Sequence, residues 1–132
     1  MDYVETYSIH LFYRKDHKMN KEMVIFTRTY DFITWLIPLT LNFPRSQRFI
    51  ITKRLQDAIL DFYELILEAN GYRGKKRIEF LYKADTSFDK VRHYLRLCQQ
   101  LNWLKAGQYK HAANLTTEIG RLLGGWIKQT AA

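Results

Sequence analysis

Between residues 51 and 69, Ile51, Leu55, Ala58, Phe62, Leu65 and Ala69 recur at 4-3-4-3-4 spacing, with Ile59, Tyr63 and Ile66 alongside. This period draws one apolar stripe along an α-helix and does not fit a strand, whose sides alternate at every second residue. A striped helix needs cover from another element. The chain supplies that cover in the same form. Ile78, Leu81, Ala84, Phe88, Val91, Leu95 and Cys98 mark the stripe of a helix over about 75–103, flanked by Tyr94, Leu97, Leu101 and Leu104. Tyr109, Ala112, Leu115, Ile119, Leu122 and Trp126 mark another that closes near Lys128-Gln129-Thr130.

The segment 24–43 is of a different kind. Phe26, Tyr30, Phe32, Ile33, Trp35, Leu36, Ile37, Leu39 and Leu41 place apolar groups around most of a helix. Such a helix needs cover on more than one side: its own bundle on one, another subunit on the other. Phe32, Trp35, Leu36 and Leu39, together with Trp126, are therefore the candidate subunit contacts. Pro38 is expected to kink or break this helix, and Pro44 to stop it by driving Phe43 out of the helical region. Ser46 is the expected N-cap of the second helix, and Asn70-Gly71 its left-handed stop. Asp85-Thr86-Ser87 is a polar patch in the third, and Lys105-Ala106-Gly107 the last turn. Gly120 and Gly124, four apart with Gly125 following, each cost about 1 kcal/mol in a helix and suit a close approach of two backbones.

Four amphipathic segments joined by short turns describe an all-α, up-down-up-down antiparallel four-helix bundle over residues 24–132. Residues 1–23 form an N-terminal extension of unassigned structure. Tyr3, Glu5, Tyr7, Ile9, Leu11 and Tyr13 alternate there, with no second strand to pair with.

At 132 residues the chain has room for one domain. Its hydrophobic fraction of 47% is far too high for a disordered basic tail. The lone Cys98 rules out a disulfide framework, and the lack of a cysteine cluster rules out a zinc ribbon. No basic stretch followed by an apolar one opens the chain, and the longest apolar-rich run, Phe32–Phe43, is shorter than the ~20 residues of a membrane span. A cytoplasmic protein without a membrane partner is expected.

Charge points toward a partner. Lys and Arg number 21 against 13 Asp and Glu, a net +8. Residues 1–23 are neutral, with Arg14, Lys15, Lys18 and Lys21 balanced by Asp2, Glu5, Asp16 and Glu22, so the excess belongs to the bundle. A basic body calls for an anionic partner. Arg45, Arg48, Lys53 and Arg54 cluster at the start of the second helix, and Arg73, Lys75, Lys76 and Arg77 at the turn into the third. Lys83, Lys90, Arg92 and Arg96 follow along it. In an up-down bundle the first and third turns share one end, which gathers Arg45 and Arg48 near Lys105 and Lys110. The other end gathers Arg73, Lys75, Lys76 and Arg77 with Arg28 and Lys128. These twelve clustered residues are the candidate phosphate contacts of a salt-dependent, sequence-tolerant nucleic-acid surface. The competing reading is that Lys53, Lys83 and Lys90 pair with Asp57, Asp61, Glu64 and Glu79.

Catalytic patterns are missing. His10, His17, His93 and His111 stand at no metal-ligand spacing, and no Glu-x-x-His pair occurs. Gly71-Tyr72-Arg73-Gly74 matches neither phosphate-loop spacing, and no Gly-x-Ser-x-Gly elbow exists. No Arg stands four to six residues ahead of His93 or His111, as in small helical ribonucleases. Asp85 and Asp89 share a face but suit salt bridges better than a cation. Cys98 falls on the apolar stripe, where an inert thiol is expected. No cofactor, no metal and no enzymatic activity are expected.

Thr29-Tyr30-Asp31-Phe32, Trp35-Leu36-Ile37-Pro38, Asn42-Phe43-Pro44-Arg45 and Ile119-Gly120-Arg121-Leu122-Leu123-Gly124-Gly125-Trp126-Ile127-Lys128 follow one another in this chain. In that order they resemble the accessory variability determinant (Avd) proteins of diversity-generating retroelements. These belong to a four-helix family shared with the proteins of ribosomal RNA intervening sequences. The resemblance covers about residues 24–130. It implies a non-catalytic bundle that assembles as a homopentameric barrel, carries a basic surface, and binds the retroelement reverse transcriptase and nucleic acid. In that role it supports mutagenic copying of template RNA into cDNA, the step called mutagenic retrohoming. Two other readings stay open on the sequence: an intervening-sequence-type bundle without a reverse transcriptase, and a small helical nuclease.

Overall fold

A computed structural model describes the backbone of residues 20–132 and the side chains from Val24 onward. The extension expected over 1–23 lies outside the described residues as far as residue 19. Four helices make up the described chain: α1 (Asn20–Thr40), α2 (Lys53–Asn70), α3 (Gly74–Gln100) and α4 (Ala106–Ala131). No strand occurs among the described residues. Each helix packs on its neighbour in the sequence, and α1 closes the square against α4. The α2–α3 interface is the most extensive and the α1–α2 seam the least.

The core is built from the anticipated periodicity, with local shifts of register. On α1 the inward stripe is Ile25, Thr29, Phe32, Leu36 and Thr40, with Phe26 beside it. On α2 it is Leu55, Ala58, Ile59, Phe62, Ile66 and Ala69. Leu81, Ala84, Phe88, Val91, Leu95 and Cys98 are buried on α3, and Ala112, Thr116, Ile119, Leu123 and Trp126 on α4. Phe62 and Phe88 meet at the centre, their rings 4.5 Å apart, within the range in which aromatic pairs add to area burial.

The helix boundaries depart from the expected ones, and the reasons are physical. α1 runs through Pro38, two residues before its end. There the proline costs little, because Thr34, whose carbonyl loses its partner, is exposed to water. Leu41, Asn42 and Phe43 then bond back three residues and tighten the turn. Thr40 ties this corner together: its hydroxyl donates to the Ile37 carbonyl at 2.6 Å and accepts from Gln56 Nε2 at 2.8 Å.

Ser46 is not an N-cap. It lies inside a 3-10 turn, Arg45–Gln47, that follows Pro44 and makes no side-chain cap bond. A π-helical turn, Arg48–Thr52, joins this to α2. The wider turn shifts the register by about one residue, so Thr52 takes the inward position while Ile51 is only half-buried. Gly71 is right-handed, with φ −81°; the left-handed glycine is Gly74, with φ +59°, at the first residue of α3. α3 stops three residues early in a Schellman turn, with Trp103 N–H on the Cys98 carbonyl at 2.9 Å and Asn102 N–H on that of Gln99 at 3.0 Å. Asn102 takes the required positive φ of 64°. Gly107 therefore falls inside α4 and not in the turn.

Candidate nucleic-acid interface

The ends of the bundle are paired as the topology demands. Phe43 and Trp103 meet at 5.6 Å, which brings the first and third turns together. Phe26 meets Trp126 at 6.0 Å at the opposite end, beside the α2–α3 turn. The twelve candidate cations are thus spread over two ends and one helix, but they are not equivalent.

Three are committed within the protein. Arg77 donates through Nε to the Ala69 carbonyl at 3.0 Å and through Nη2 to that of Asn70 at 3.4 Å, and its guanidinium stands 5.5 Å from the centre of the Trp126 ring. It satisfies carbonyls at the C-terminus of α2, where the helix dipole favours a cation. Arg92 stands over the Phe88 ring at 4.7 Å and pairs with Asp89 at 3.1 Å. Lys53 pairs with Asp57 at 2.6 Å one turn on, an exposed pair of small energetic weight. Arg28, placed by topology at the second end, is bound to Glu118 at 2.8 Å; that bond raises its pKa and joins α1 to α4.

Arg45, Arg48, Arg54, Arg73, Lys75, Lys76, Lys83, Lys90 and Arg96 have no ion-pair partner among the described residues. All nine are exposed. Lys76 stands over the Tyr72 and Phe80 rings, and Lys83 over Phe80, each at 5.6 Å. Lys76, Lys83 and Lys90 follow at seven-residue spacing along one side of α3.

Asp57, Asp61 and Glu64, which the sequence offers as partners for lysines, belong to an acidic row on α2. Asp57, Asp61, Glu64 and Glu68 recur at 4-3-4 spacing on its outer face. Asp61, Glu64 and Glu68 share a shallow groove with Ser87 of α3, and Lys83 and Lys90 lie one turn on either side of Ser87. The lysine row and the acidic row therefore flank the same seam. Lys76, Lys83 and Lys90 make no ion pair with the acidic row among the described residues. Arg45, Arg48 and Arg54 stand at one end of the bundle and Arg73 and Lys75 at the other.

The candidate subunit contacts also divide. Phe32 and Leu36 are fully buried and Trp126 is 3% exposed, so all three belong to the protomer's own core. Trp35 and Leu39 are half-buried. Trp35 meets His111 of α4 edge-on at 4.7 Å. A Cβ on Gly124 or Gly125 would meet nothing within 4 Å among the described residues, and the place of Gly120 is explained by Arg92, whose Nη2 lies where a Cβ would go.

Among the described residues, no group of three or more His, Cys, Asp or Glu is placed to hold a metal ion. Burial pushes the Cys98 thiol up to about 11, which keeps it in the unreactive form near neutral pH. No described helix is long and apolar enough to cross a membrane.

No curated protein matches the chain. Among solved structures it is similar to a protein of unknown function from the S23 ribosomal protein family of Bacteroides thetaiotaomicron. The TM-score is 0.74 at 23% identity, over 82% of this chain and 98% of that one, a likeness of fold. The sequence model of the bAvd-like family matches residues 23–130, nearly the whole described bundle. By that match, carried on the helices and turns just described, this chain belongs to the bAvd-like family.

Proposed function

We propose that the chain is a non-catalytic, nucleic-acid-binding accessory subunit of a diversity-generating retroelement reverse transcriptase. It acts in the cytoplasm as a homo-oligomer, a pentameric barrel in the reading taken from its family, and supports mutagenic copying of template RNA into cDNA. The observation that carries this reading is the set of unpaired, exposed cations on a bAvd-like bundle. Unpaired cations at the two ends can neutralise phosphates and release counterions, which gives affinity without sequence choice.

Two patches fit an oligomer. Trp35 and Leu39 sit on the α4 side of α1. Leu60 and Leu67 lie on α2, 40% and 39% exposed, on the side where Tyr63 meets Tyr30 of α1. Two different patches, one on α1 and one on α2, suit head-to-tail contacts, which close into a ring when the rotation allows.

The test is a shift titration of structured RNA at two salt concentrations. Salt-dependent binding is expected, and reversal of Lys75 and Lys76 to Glu lowers the log–log salt slope by about 2. Binding indifferent to salt removes the phosphate reading. Co-purification with the reverse transcriptase encoded beside the gene tests the partnership; its failure, or a gene neighbourhood without that enzyme, favours the intervening-sequence type.

A further inference from the structure

The corner between α1 and α2 holds a groove of about 450 Å³, lined by Leu41, Arg45, Arg48, Phe49, Thr52 and Lys53 among others. That is large enough for a small organic ligand. Its walls are unusual in three ways. Phe49 is 78% exposed and Leu41 77%, the two most exposed large apolar side chains among the described residues. Arg45 and Arg48 have no ion-pair partner among the described residues, and the Arg48 guanidinium stands 5.9 Å from the centre of the Phe49 ring. Thr52, only 4% exposed, has a buried hydroxyl with no hydrogen-bond partner among the described residues. A buried hydroxyl normally finds one, and Thr52 is among the residues that line the groove. The π turn over Arg48–Thr52 creates the arrangement, since it sets Phe49 outward and Thr52 inward.

We infer that this groove is a binding site for single-stranded nucleic acid, in which an unpaired base stacks on Phe49 and adjacent phosphates meet Arg45 and Arg48. An apolar peptide would leave two guanidinium groups to be desolvated without compensation. A nucleotide strand brings a flat apolar face and an anion together, which is the pairing the groove offers. A duplex cannot use the site in this way, because its base faces are already stacked. The inference rests on the proposed function and adds to it a strand preference and a residue, Phe49, that charge alone does not single out.

The test uses the full chain with short fluorescent oligo-uridylate and oligo-thymidylate strands and an RNA duplex of equal length, followed by anisotropy. The two single strands separate template RNA from cDNA as the occupant. Phe49→Ala is expected to weaken single-strand binding about tenfold, the loss of one base–aromatic stack, while duplex affinity and salt slope stay unchanged. Phe49→Trp keeps wild-type affinity. Unchanged single-strand affinity in Phe49→Ala overturns the groove while leaving the nucleic-acid reading intact; a wild-type chain that binds none of the three probes ends both. A Phe49→Ala chain of altered assembly mass, or one that loses only the reverse transcriptase, also overturns the inference, since the ring then covers a protein.

Discussion

Arg77 shows how one side chain can be misplaced by its neighbours in the sequence. It stands in the run Arg73, Lys75, Lys76, Arg77, and by composition all four face phosphate. In the fold its guanidinium serves two carbonyls at the end of α2 and the Trp126 ring from α4. Its partners are set by how α2, α3 and α4 converge, which no local pattern encodes. Arg77→Ala should therefore cost about 2 kcal/mol of stability, from charge-assisted hydrogen bonds and a cation–π contact. Lys75→Ala and Lys76→Ala should stay within about 0.5 kcal/mol. Urea denaturation followed by circular dichroism checks this. Equal midpoints for all three variants would return Arg77 to the phosphate-binding set.

Among the elements, the long stripes of α2, α3 and α4 were legible because a 3.6-residue period needs no knowledge of the partner. Errors of register were small and had local causes. The π turn ahead of α2 moved burial from Ile51 to Thr52, and Ile66 took the inward place assigned to Leu65. The glycines of α4 were less legible, because a backbone approach and a side-chain approach look alike in sequence. A Cβ on Gly120 would meet Arg92 Nη2, so Gly120→Ala displaces that guanidinium from Phe88 and Asp89. The lost contacts, together about 1 kcal/mol, offset the gain in helix propensity. Gly124→Ala and Gly125→Ala meet nothing within 4 Å among the described residues, so each should stabilise the fold by about 1 kcal/mol. Thermal melts of the three single variants test the contrast. A loss of assembly mass in Gly124→Ala or Gly125→Ala would instead place those glycines against a neighbouring subunit.

For the whole molecule, a net charge of +8 on the bundle and apolar patches on α1 and α2 act in opposite directions. Five such bodies in a ring would total about +40, and that charge repels itself unless counterions or a polyanion screen it. Apolar contact is nearly insensitive to salt, whereas the repulsion is not. Raising the ionic strength from about 0.01 to 0.15 M shortens the Debye length from about 30 to 8 Å. The assembly should therefore grow more stable across the range in which nucleic-acid affinity falls. Light scattering of the pure protein is expected to show a mass well above the 15.9 kDa of one chain, rising with salt, or at low salt on addition of an oligonucleotide. Leu60→Lys with Leu67→Lys, at positions already 40% and 39% exposed, should yield a folded monomer of unchanged helicity. Such a monomer would still bind a strand at its two basic ends, but more weakly, because a ring presents several ends to one polyanion at high effective concentration. A wild-type chain that stays monomeric at every salt concentration would leave the patches on α1 and α2 without a subunit to cover them, and would end the ring reading while sparing the basic ends.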